Sequence, residues 1–129
     1  MIESTLFLFG ASEKGALCKP HHFSSLEELL DVLGHPPEHS EGIPYAIQTL
    51  LFQHSLIYFR VSEEGFSRDD YIQGLKLLRK KEIKKPLHAI CMPGVGDEEL
   101  IQATTPVCHI YQSVLIISPK DLYDYLTVK

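Results

Sequence analysis

Cysteine is scarce in this chain. Cys18, Cys91 and Cys108 are the whole complement of its 129 residues, an odd and sparse set that excludes a disulfide-scaffold protein. Long apolar runs are missing as well. Thr5-Leu6-Phe7-Leu8-Phe9 falls far short of the ~20 residues a membrane helix needs, so no membrane partner is expected. Basic residues are outnumbered, 12 Lys+Arg against 17 Asp+Glu, for a formal net charge of -5. That deficit excludes nonspecific nucleic-acid binding as a main activity, because phosphate affinity comes from neutralising cations. The start, Met1-Ile2-Glu3-Ser4, shows neither a basic region nor an apolar stretch ahead of a cleavage site. Reduced thiols in a cytoplasmic setting are therefore expected, with Cys91 and Cys108 packed as small apolar residues.

What is present is the composition of a globular domain, 44% hydrophobic and 22% charged. A chain of this length supports one substantial core and one domain, residues 1–129. Thr5 to Phe9, ending at Gly10, reads as a strand buried on both faces, followed by a loop. Ser24-Ser25-Leu26-Glu27-Glu28 offers a capping box, Leu26, Leu29, Leu30 and Leu33 follow at helical spacing, and Gly34 stands at the stop. After the turn-rich residues 35–42, Pro44 suits a first helical turn, and Ile43, Ile47, Leu50 and Leu51 define an apolar face.

Leu56 to Val61 is the second expected strand, leaving through Ser62-Glu63-Glu64-Gly65. Asp69 or Asp70 caps a third helix with Ile72, Leu75 and Leu78 on one face, and Pro86 forbids its continuation. Leu87 to Met92 is the third strand. Asp97 then caps a helix that Pro106 is expected to kink or interrupt. Val114 to Ile117 reads as a fourth buried strand, and Ser118-Pro119 opens a last helix through Leu122, Tyr125 and Leu126. Alternating strands and helices imply parallel pairing through right-handed crossovers. The expected fold is therefore α/β, a doubly wound sheet of about four mainly parallel strands with helices on both faces.

Ligands in such folds bind at the carboxyl ends of strands, which here gather Gly10, Ser12, Gly94 and Ser118 as a candidate crevice for a nucleotide or phosphate. Local motifs do not strengthen it. Gly10 to Gly15 lacks the Lys-Ser/Thr and the third glycine of the phosphate-loop templates and reads as a turn. Pro93 to Asp97 points amides ahead of a helix, but Glu98 and Glu99 would repel an anion there. His21, His22, His35 and His39 near Cys18 fit no zinc spacing, so they read as surface or loop histidines and no metal or other cofactor is expected. Cys91, the best-placed nucleophile, lies inside an apolar strand where a thiol is inert, and no catalytic residue is assigned.

Charge is the one uneven property. Lys76, Arg79, Lys80, Lys81, Lys84 and Lys85 hold half of the basic residues, whereas residues 1–64 carry Lys14, Lys19 and Arg60 against nine acids. The stretch reads either as a solvated helix face or as an interaction surface that orients subunits head to tail.

Taken together, a strand into Gly10, Lys14-Gly15, Pro20, Ser24-Ser25-Leu26-Glu27-Glu28 and Leu33-Gly34 form an opening pattern. A helix through Ala46-Ile47-Gln48 to Leu51-Phe52 follows, then a strand ending Arg60-Val61. Gly74-Leu75, Leu77-Leu78, Ile90 to Gly94, Asp97, Cys108 and Val114 to Ile117 complete it. This succession resembles the α/β core segment of the contractile tail sheath proteins of bacteriophages and related injection machines, over roughly Thr5 to Leu126. Ala16-Leu17 stands where that family commonly continues Gly-Pro, and the family's insertion after Arg-Val and its large C-terminal part have no counterpart. The resemblance implies a reduced, non-catalytic assembly module. Its partners would be copies of itself or other tail-like structural proteins, and its setting the cytoplasm or a phage-like particle.

Overall fold

A computed structural model describes residues 4–127. Its elements in chain order are β1 (Thr5–Gly10), β2 (Pro20–Phe23), α1 (Leu26–Leu33), α2 (Gly42–Leu51), β3 (Ser55–Arg60), α3 (Arg68–Arg79), β4 (Ala89–Cys91), α4 (Glu98–Tyr111), β5 (Val114–Ile116) and α5 (Pro119–Thr127). The described residues thus form an α/β fold with a five-stranded mixed sheet and five helices. Strand order is β2-β3-β1-β4-β5. β1 pairs in parallel with β3 and β4, and β4 with β5, while β2 runs antiparallel to β3.

Side-chain alternation divides the core into two layers. Leu6 and Leu8 of β1, with Leu56 and Tyr58 of β3, meet α1, α2 and α5 through Leu29, Leu33, Ile43, Ala46, Leu122 and Leu126. Phe7 and Phe9, with Ile57 and Phe59, face α3 and α4 through Tyr71, Leu75, Leu78, Leu100 and Val107. That second layer is aromatic: Phe9 stands 5.3 Å from both the Phe59 and Tyr71 ring centres. All six residues of β1 are buried, as the unbroken apolar run requires of a central strand.

Several expectations need correction. The loop after β1 contains β2, which sits at the sheet edge, where a leading proline removes no needed donor. Leu51 is 65% exposed, because α2 turns Ile43, Ala46, Thr49 and Leu50 inward instead. Neither Asp69 nor Asp70 caps α3; the helix starts after Ser67, and Asp70 bonds the loop after β3. Pro106 does not interrupt α4. Pro106 and Gln102, four residues back, are both exposed, so the carbonyl that loses its donor sits on the solvent side. β5 is an edge strand with Val114 51% exposed, and only Ile116 of its three residues is buried. The capping box does hold: Ser25 accepts from the Glu28 amide, and the Glu28 carboxylate accepts from the Ser24 amide.

Candidate functional site

The carboxyl ends of the strands bring several glycines together for packing. Gly10 at the end of β1 lies against Gly42 at the start of α2: a Cβ on Gly10 would stand 2.9 Å from the Gly42 Cα and collide with the Tyr58 hydroxyl. That hydroxyl is buried and donates to the Ala11 carbonyl at 2.6 Å. Burial raises its pKa far above the ordinary tyrosine value, so it remains a donor. Across the sheet, Gly65 with φ +86° is seated on the Gly94 carbonyl, and its amide donates to the Tyr71 hydroxyl at 2.6 Å.

Glu64 closes this edge. Its Oε1 accepts from the Ala11 amide at 2.9 Å, the Ser40 hydroxyl at 2.9 Å and the Gly42 amide at 3.0 Å, and its Oε2 accepts from the Glu41 amide at 2.6 Å. Three loops, leaving β1, entering α2 and leaving β3, are thereby joined on one carboxylate. The first amides of α2 are the donors that an anion bound at a helix N-terminus would use, and Glu64 takes them. At α4 the Asp97 carboxylate likewise accepts from the Glu99 and Leu100 amides, and Arg68 bridges Asp97 and Glu99 at 2.8 Å each.

Each of the four residues of the expected crevice has a local partner. Gly10 is packed on Gly42. Ser12 donates its hydroxyl to the Lys14 carbonyl at 2.8 Å. Gly94 abuts Gly65, and Ser118 accepts from the Asp121 amide as a cap for α5. Glu64, which sequence reasoning passed over as a loop residue, is the organising group of this edge; the glycines at 10 and 42 were the only signal of the close approach it holds. Cys91 is fully buried in β4, where desolvation raises its thiol pKa and keeps it protonated.

A second carboxylate ties the neighbouring loop. Asp70 accepts from the Ser62 amide at 2.8 Å, the Ser62 hydroxyl at 2.7 Å and the Cys18 thiol at 3.3 Å. Burial alone would raise its pKa, but the bonds from Ser62, Cys18 and Ser67 outweigh that and hold it below the ordinary 3.8. Burial and the same contact push the Cys18 thiol up to about 11. Because the folded pKa is depressed, the Asp70 contribution is present above pH 3.8 and is lost as pH falls through the lower folded value. Acid titration of stability should therefore be shallower below pH 3.8 in Asp70→Asn than in the parent; parallel curves would show that these bonds carry no charge-dependent stability.

The basic residues occupy a different place. Lys76, Arg79 and Lys80, at the carboxyl end of α3, line a surface hollow of about 340 Å³. Lys81, Lys84 and Lys85 follow on the segment into β4, and all six are exposed. Among the described residues no ion pair engages any of them. Lys76 and Arg79 also suit the negative end of the α3 dipole. Among the described residues, no group of three or more His, Cys, Asp and Glu side chains is arranged to hold a metal, and no helix is long and apolar enough to cross a membrane. Comparison with protein-family models, curated proteins and solved structures finds no match to this chain.

Proposed function

We propose that this chain is a non-catalytic assembly module: a doubly wound α/β domain of the tail-sheath-core kind that docks on copies of itself or on other tail-like structural components. The observation carrying this reading is the basic cluster from Lys76 to Lys85, exposed and, among the described residues, engaged by no ion pair, on a chain of net charge -5. Such a cluster seeks an acidic protein surface, and the acids of this chain supply one. The strand-end edge supports the reading from the other side, since Glu64 and Asp97 take the amide donors that a phosphate ligand would need.

Absolute mass by light scattering across concentration and salt, with the same samples viewed by negative-stain microscopy, tests the proposal. The expected result is rings or filaments that dissociate as salt rises from about 0.01 to 1 M, over which screening shortens from roughly 30 to 3 Å. Lys80→Glu/Lys81→Glu/Lys84→Glu should weaken assembly while leaving folding stability within about 0.5 kcal/mol, because exposed charges contribute little to it. A strict monomer at every concentration would remove self-assembly as the function. A melting temperature that climbs with nucleotide or sugar phosphate would favour the strand-end ligand site instead.

A further inference from the structure

The acidic counterpart of the basic cluster can be placed from the fold. No Lys or Arg occurs between Lys19 and Arg60, and α1 lies in that interval. This helix buries Leu29 and Leu33 and exposes Glu27, Asp31, Leu30 at 38% and Val32 at 40%. Its outer face thus combines carboxylates with apolar surface and has no cation of its own. Glu28 is set apart, engaged with Ser24 and Ser25 in the cap.

α1 packs in the layer beneath Leu6 and Leu8, and α3 packs in the layer beneath Phe7 and Phe9. The two charged surfaces are consequently on opposite faces of one sheet and cannot neutralise each other within a molecule. Resting on the assembly reading above, we propose that the basic end of α3 in one copy receives the outer face of α1 from a second copy. Glu27 and Asp31 reach the cations around the Lys76, Arg79 and Lys80 hollow, where the Arg79 guanidinium can take a carboxylate through two parallel bonds. The stems of the lysines cover Leu30 and Val32. Each copy uses a different patch for each neighbour, so the contact is head to tail and propagates or closes into a ring.

Charge exchange tests the pairing. Glu27→Lys/Asp31→Lys alone, and Lys76→Glu/Arg79→Glu/Lys80→Glu alone, which reverses all three residues lining the hollow, should each weaken self-association by about tenfold or more in sedimentation velocity. An equimolar mixture of the two, and a chain carrying all five changes, should regain the parent's association within about threefold, since every α1–α3 contact again joins opposite charges. Thermal melts establish that each variant folds; if the reversed α1 does not, Glu27→Gln/Asp31→Asn replaces it and should show the same loss. Parent-like association in the α1 variant, beside loss in the α3 variant, would overturn the pairing while leaving assembly intact. Failure of the unmodified chain to associate would overturn self-assembly, and the pairing with it.

Discussion

Replacing Gly10 with alanine should cost about 3–5 kcal/mol of folding stability, a large part of the roughly 5–15 kcal/mol such a domain has. The added methyl meets the Gly42 backbone, which cannot rotate away, and the Tyr58 hydroxyl, which can move only by giving up the Ala11 carbonyl. Overpacking contributes about 1–3 kcal/mol, and a buried hydroxyl without its acceptor about 1–3 more. At roughly 3–4 °C per kcal/mol for a chain of this size, the melting temperature should fall by about 10–20 °C. Urea unfolding gives the free energy directly, with an unchanged slope showing that only stability has moved. Adding Tyr58→Phe to Gly10→Ala should return part of the loss, because the hydroxyl that blocks the methyl is gone; strict additivity of the two changes would contradict the close approach. A Gly10→Ala protein as stable as its parent would refute it outright.

Glu64→Ala should be the next most damaging single change outside the apolar core, at about 2–3 kcal/mol. Four donors converge on the carboxylate, and bonds to a charged acceptor are worth about 1.5–3 kcal/mol each when fully enclosed. Glu64 is only partly buried, so water recovers much of that total. Glu64→Gln should lose less, keeping the acceptor for Ala11, Ser40 and Gly42 while turning an amide donor toward the Glu41 N–H. Hydrogen exchange adds a local reading: the Ala11, Glu41 and Gly42 amides should exchange faster in Glu64→Ala, with the centre of β1 less affected. Protection unchanged at those three amides would mean that the carboxylate does not hold the loops. Small carboxylates such as formate should partly restore the melting temperature of Glu64→Ala by filling the vacated position.

These two residues mark where reading the sequence succeeds and where it stops. α1 was readable to the residue because its signals are local: Ser25 and Glu28 bond within one turn, and Gly34 follows immediately. β1 and β3 were readable because burial on both faces leaves an unbroken apolar run. β2 was not, because Pro-His-His-Phe buries only Phe23 and owes its strand geometry to pairing with β3. β5 misled in the opposite direction, its apolar residues being no guide to which strand ends the sheet. The basic cluster was visible as composition, but the opposite placement of α1 and α3 followed only once the alternation along β1 assigned each helix to a layer. Glu64 was out of reach, since three of its four partners are backbone amides from distant loops, which leave no mark on residue type.

The central position of β1 also bears on how the chain acquires its fold during synthesis. Of the described strands β1 leaves the ribosome first, yet its partners begin at Ser55 on one side and at Ala89 on the other. At roughly 5–20 residues per second, Leu6 to Phe9 wait several seconds before either edge can pair. During that interval this strongly apolar strand is an open template for other nascent chains, and its early cover among the described residues is the α1–α2 segment that later packs on Leu6 and Leu8. Helices that form from local signals ahead of β3 therefore act first as a shield for β1 and only afterwards as one layer of the finished core.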